Sequence, residues 1–268
     1  MNNLEIDKIR QLYPGLVHKQ IGGKNCIVGQ LKYCAVYKKS SDQILIYPTR
    51  PEEANANLIE DQYDIKIEIG DDFPETLPLV WETGGRIEAI MKKYEIKDKV
   101  ALHINKNSRD SICLCPSPER LITFRDGQVN LLDFINKLVV PYFYGLSFYE
   151  KNKKWAWGEY SHGPLGVFEF YFDKMQGKDA NKEMFDLTIL SLATMDKRTP
   201  LAIMNGLFLR IVDKCPCGSG FAFEKCHFTG YSGVRLLEFH YKVFYSGKSI
   251  INIILDDYKA SRIIKDKV

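Results

Sequence analysis

The chain has 268 residues with a formal net charge of +3, and 45% of it is apolar. That length suits one large domain or two small ones, and the apolar content supplies a core that excludes a disordered chain. The mild charge argues against nucleic acid as the main partner, and no apolar stretch reaches membrane-spanning length before a Lys, Asp or Asn breaks it.

The start, Met1-Asn2-Asn3-Leu4-Glu5, lacks the basic residues and apolar core of a signal peptide, so the expected compartment is the cytoplasm. There thiols stay reduced, and the seven cysteines point to metal ligation or thiol chemistry rather than disulfides. Residues 4–13 predict a short helix stopped by Pro14-Gly15. Four strands follow: Cys26 to Tyr37, Ile44 to Tyr47, Tyr63 to Ile69 (the clearest alternation in the chain) and Leu79-Val80-Trp81. Cys26 and Cys34 then read as core residues. Ile87, Ile90, Met91 and Tyr94 fall at helical spacing after Gly84-Gly85, which predicts an inserted helix.

Residues 102–120 are irregular. Leu131 to Val140 predicts a helix ended by Pro141, and Trp155 to Glu169 a Trp- and Gly-rich turn segment with a helix end near Phe172. The polar run 177–182 marks a boundary between domains at 1–176 and 177–268. Beyond it Thr199-Pro200 opens a helix to Val212, and amphipathic helices are expected over 233–245 and 249–263.

Two clusters carry chemistry. Cys215-Pro216-Cys217-Gly218-Ser219-Gly220, followed by Cys226-His227, offers three thiolates and one imidazole, the complete ligand set of a closed structural zinc site. These residues resemble the SEC-C motif, although Phe221 to Phe223 stand where that motif carries basic residues. The second cluster is the polar loop His103-Ile104-Asn105 to Ser111-Ile112-Cys113-Leu114. It presents a thiol beside apolar residues, with Cys115 as a rival nucleophile two positions on. A thiolate is a nucleophile and a leaving group, which suits an acyl carrier, and an Asn amide can hold the oxyanion of acyl transfer.

The loop resembles the signature of the ubiquitin-conjugating family: His-Pro-Asn, seven intervening residues, then Cys within Ile-Cys-Leu. His103, Asn105 and Cys113 occupy the matching positions, and Ile104 replaces the proline. Pro74 to Val80 looks like the family's Tyr-Pro-x-x-x-Pro-x-Val loop. The likeness spans roughly residues 4–172 and implies an α+β fold: an N-terminal helix, a four-stranded antiparallel meander and later helices, followed here by a small helical module with the SEC-C-like zinc site. It also implies that Cys113 carries a protein C-terminal carboxyl as a thioester and passes it to an amine. In that reading Asn105 holds the oxyanion and His103 fixes the loop.

The segment Trp155 to Gly163 looks like bacterial branches of the family found in antiphage operons of CBASS type. That implies a protein substrate, such as the C-terminus of a cGAS-like synthase, and an activating-enzyme-like partner, since the chain has no phosphate-binding loop of its own. Two other readings stay open: an inactive adaptor with this fold, and a Cys-His hydrolase pairing Cys113 with His162.

Overall fold

A computed structural model describes residues 3–41, 43–52, 57–74, 76–105, 108–114, 129–193, 195, 206–207, 209–215 and 219–245. They belong to two compact units that divide at Gly158.

The first unit is mixed α and β. Helix α1 (Asn3–Leu12) precedes β1 (Leu16–Ile21), β2 (Lys24–Lys38), β3 (Gln43–Tyr47), β4 (Leu58–Ile69) and β5 (Leu79–Glu82). All pairings in this sheet are antiparallel. Its order is β1-β2-β4-β5, with β3 beside β1 along the same edge of β2. The sheet is antiparallel as expected, but the chain does not run through it as a simple meander, because β3 turns back along β2 on the edge away from β4. Leu16–Ile21 is the missed first strand. Gly22 and Gly23, both at positive φ (60° and 78°), close the β1-β2 hairpin, the backbone that a two-residue turn of the right twist demands.

The alternation of β4 works as its pattern dictates. Tyr63, Ile65, Ile67 and Ile69 face the core, while Asp64 and Lys66 face outward. Helix α2 (Arg86–Lys93) follows, burying Ile87 and Ile90 as their spacing requires. Arg86 is bidentate on Asp61 (2.8 and 2.7 Å) and also binds Glu150 (2.9 and 2.7 Å). Ser147 donates to the same Asp61 (2.6 Å) and meets the hydroxyls of Tyr33 and Tyr63 (2.8 and 2.9 Å). Burial pushes the Asp61 carboxyl up, but its bonds from Arg86 and Ser147 outweigh that and leave it below its usual range.

After the short hairpin β6 (Ile104–Asn105) and β7 (Ser111–Ile112) comes a nearly continuous helical rod. It runs as α3 (Leu131–Phe134), a π segment (Ile135–Val139) and α4 (Val140–Asn152). Pro141 does not end this helix, contrary to expectation. The preceding turn is widened, with the Val140 N–H bonded to the Ile135 carbonyl. A wide turn accommodates a ring that lacks an N–H and would otherwise strike the carbonyl four residues back. Val140, Tyr142, Phe143, Tyr144 and Leu146 are buried in the core of this unit.

The second unit is built from α5 (Pro164–Met175), α6 (Lys182–Ala193), α7 (Phe223–Cys226) and α8 (Phe228–Phe244). Its core joins Phe168, Tyr171 and Met175 to Phe185 and Leu192 and to Val234, Leu237 and Tyr241. The sequence boundary at 176/177 thus falls after the break at Gly158, because α5 buries its aromatic face among the later helices. Gly233 permits the close crossing of α8 on α5: a Cβ there would stand 2.0 Å from the Phe168 carbonyl oxygen. Helix α6 was not expected, whereas α8 covers the helix expected over 233–245 and starts earlier. Most of the expected helix at 199–212 and all of that at 249–263 lie outside the described residues.

Candidate functional site

The thiol loop begins where Asp98 caps a 3-10 turn (Lys99–Leu102), accepting from the Val100 N–H. His103 ends that turn in the left-handed region, φ 55°. β6 and β7 then pair Ile104 with Ile112 and Asn105 with Ser111. Ile104 and Ile112 are buried and anchor the ribbon on the core. Cys113 is the next residue, and its N–H donates to the His103 carbonyl (2.7 Å), which extends the ribbon by one pair. His103 therefore stands across from Cys113, and Asn105 two positions along the same strand. Cys113 itself is exposed.

The side-chain amide of Asn105 donates to the Ser108 hydroxyl (3.0 Å). The His103 ring meets Trp155 edge to face, centroids 4.8 Å apart. Trp155 is 6% exposed, and its indole N–H has no hydrogen-bond partner among the described residues. Cys115 lies outside the described residues, and exposed His162 belongs to the second unit, on the turn leading into α5. In that turn Glu169 accepts from the Ser161 N–H (2.6 Å) and hydroxyl (2.9 Å).

Between the two strands the chain reverses through Ser108, Arg109 and Asp110. The Ser108 N–H bonds the Asn105 carbonyl (3.1 Å) and the Ser111 N–H bonds the Ser108 carbonyl (3.0 Å). Arg109 and Asp110 are consecutive non-glycine residues at positive φ, 53° and 61°. Each such residue costs about 1–2 kcal/mol in the left-handed region, so outside contacts must hold the turn. They are present. The Trp81 indole donates to the Arg109 carbonyl (2.9 Å), and the Arg109 guanidinium donates to Glu68 (2.7 Å) and lies over the Trp81 ring (5.3 Å). Lys99 pairs with Asp110.

Glu68 is only 6% exposed and is surrounded by Arg109, Lys24 (2.6 Å) and Lys66 (3.1 Å). Its bonds from Arg109 and then Lys24 hold its pKa down at about 2, so it stays ionised at any ordinary pH. None of Glu68, Trp81 or Arg109 was singled out from the sequence. The available signal was weak: an Arg in the loop and a Trp on a short strand.

In the second unit three of the four predicted metal ligands, Cys215, Cys226 and His227, gather between a small hairpin and the short helix that follows it. Lys214 bridges Ala222, the Cys215 N–H bonds the Phe221 carbonyl (2.8 Å), and the Phe223 N–H bonds the Asp213 carbonyl (2.8 Å). Phe223 is buried and starts α7, which carries Cys226 back to the hairpin. The sulfurs of Cys215 and Cys226 and a ring nitrogen of His227 all lie within 4.8 Å of one another. The Nδ1 of His227 is 3.1 Å from the Cys215 sulfur and 3.2 Å from that of Cys226, and the Ser219 hydroxyl is 3.1 Å from the Cys226 sulfur. This group can hold a metal ion; Cys217 lies outside the described residues.

No family model, curated protein or solved structure matches the chain. The chemistry therefore rests on these two arrangements. The first offers an exposed thiol on a braced ribbon with an amide on the facing strand, and the second a soft-donor cluster with a hydroxyl beside one sulfur. No helix among the described residues is long and apolar enough to cross a membrane.

Proposed function

We propose that the first unit is a conjugating enzyme of ubiquitin-conjugating type in which Cys113 carries an acyl group. The observation that carries this reading is the exposed Cys113, hydrogen-bonded through its backbone to His103, with Asn105 two positions along the facing strand. The coarse element order supports it too: α1, an antiparallel sheet, the thiol hairpin, then a long helix, the order that the sequence resemblance implies.

The reaction would run in two balanced steps. The Cys113 thiolate attacks the carbonyl of a protein thioester, and the donor thiol leaves. An amine then attacks the Cys113 thioester, the thiolate leaves and the amine proton passes to solvent. Asn105 would stabilise the oxyanion of the second step after exchanging its bond to Ser108. The Ser108 bond is also the observation that favours the second reading, an adaptor with this fold and no transfer activity.

The metal of the second unit is proposed to be zinc, held by Cys215, Cys217, Cys226 and His227. A zinc at about 2.3 Å from sulfur and 2.0–2.1 Å from nitrogen puts those atoms about 3.6 Å apart. The 3.1 and 3.2 Å spacings come within half an ångström of that. Three thiolates and an imidazole leave no open position, so the role is structural. Antiphage defence, with a cGAS-like synthase as the acylated partner and an activating enzyme upstream, is proposed on the sequence resemblance alone.

A peptide α-thioester tests the transfer reading without an activating enzyme. Intact-mass spectrometry should find an acyl adduct on the wild type that hydroxylamine removes and that Cys113→Ala lacks. An adduct that persists in Cys113→Ala assigns the chemistry elsewhere, and no adduct on the wild type leaves the adaptor.

A further inference from the structure

The turn joining Asn105 to Cys113 is held from outside its own sequence. The left-handed residues Arg109 and Asp110 are followed at once by the strand that delivers the thiol. Within the turn, the backbone bonds Ser108 to Asn105 and Ser111 to Ser108 close the chain but do not tie it to the sheet. Arg109 does so in three ways. Its carbonyl takes the Trp81 N–H from β5, its guanidinium bonds buried Glu68 on β4, and the same guanidinium stacks over Trp81. Lys66 lies over the Trp81 ring as well (4.9 Å) and bonds Glu68, so the clamp is embedded in the outward face of the sheet.

We propose that Arg109 is a positioning residue for acyl transfer: clamped between Glu68 and Trp81, it fixes the turn that sets the Asn105 amide relative to the Cys113 sulfur. The inference rests on the conjugating reading above. It predicts that losing the clamp slows aminolysis of the thioester, where the amide must meet a developing oxyanion, more than loading of the thiol. Misplacement of a catalytic group by about 1 Å is known to cost up to a hundredfold. Arg109→Gly separates the two contributions, because a glycine adopts the backbone conformation freely while lacking the guanidinium.

The test uses the full chain as wild type, Arg109→Gln, Arg109→Gly and Arg109→Lys, with a peptide α-thioester as acyl donor and ethylamine as acceptor. Arg109→Gln and Arg109→Gly should discharge the preloaded thioester about tenfold or more slower than wild type, with loading changed less than about threefold. Arg109→Lys, which keeps the charge opposite Glu68, should recover most of the rate. Discharge within twofold of wild type in both Gln and Gly variants overturns the proposal.

A second readout does not depend on conjugation: the rate of Cys113 alkylation by iodoacetamide against pH, followed on the peptide that contains it. Should no variant and no wild type load, the conjugating reading fails, and alkylation still decides the clamp. A rate or pH midpoint changed in Arg109→Gln and restored in Arg109→Lys upholds it, and identical profiles refute it. If Arg109→Gln does not fold, Trp81→Phe keeps a ring but removes the N–H to the Arg109 carbonyl and gives the same comparison.

Discussion

Replacing Glu68 by Gln tests the electrostatics of the outward sheet face. The carboxyl is lowered from its ordinary 4.5 to about 2 by Arg109, Lys24 and Lys66. At about 1.36 kcal/mol per pH unit this is worth at most about 3.4 kcal/mol of folding stability. Lys24 and Arg109 are 53% and 58% exposed, so water screens the pairs and about 1–2 kcal/mol is expected. The sign follows from the depressed value. The contribution is complete above the unfolded carboxyl's value near 4.5 and is lost as pH falls towards 2. Urea unfolding followed by tryptophan fluorescence is the suitable assay. All three tryptophans, Trp81, Trp155 and Trp157, lie in the first unit, and urea, unlike guanidinium, does not screen charge. Wild type should exceed Glu68→Gln by about 1–2 kcal/mol at pH 7, with more than half of that gap gone by pH 3. Equal stabilities at pH 7, or a gap that persists undiminished at pH 3, would refute the reasoning.

Three further outcomes are expected. Arg86→Met leaves the Asp61 and Glu150 carboxylates unpaired beside Ser147 and should cost about 2–4 kcal/mol in the same fluorescence assay. In the second unit Gly233→Ala should destabilise by about 1–3 kcal/mol, although alanine on a free helix gains about 1 kcal/mol. Gly230→Ala, whose Cβ meets nothing nearer than 3.4 Å, should be close to neutral, with far-UV dichroism melting curves as the measure. Cys226→Ser and His227→Ala should each lower the zinc bound per chain, read by elemental analysis, and a strong chelator should lower the melting temperature of the wild type but not of these variants.

How far the sequence reached follows from where each constraint acts. Ile87 and Ile90 of α2 and the inward residues of β4 were legible because burial imposes a period on a short stretch. β1 was not, since Leu16 is its one buried residue and the rest of the strand shows no alternation. Helix α6 hid for another reason. It buries Thr188 and Ser191 and exposes Leu190, so its polar and apolar residues do not sort onto two faces. Thr188 returns its hydroxyl to the Met184 carbonyl (2.7 Å), which makes its burial tolerable. Cys215, Cys226 and His227, and the set His103, Asn105 and Cys113, could be named as candidates because each set lies within about a dozen residues along the chain. The clamp could not, because Trp81 and Glu68 lie 28 and 41 positions from Arg109.

The clamp nevertheless depends on the most readable element in the chain. A strand's side chains alternate, so seating Ile65, Ile67 and Ile69 in the core obliges Lys66 and Glu68 to face outward. The pairing of β4 with β5 then sets Trp81 opposite Lys66 and Leu79 opposite Glu68. A register slip of one residue would drive Glu68 into the core and turn an isoleucine towards Arg109. The hydrophobic pattern that fixes the sheet therefore also fixes where a buried carboxylate waits for the loop. The thiol loop can be short, polar and strained because its anchor is set by the burial of three isoleucines elsewhere in the chain.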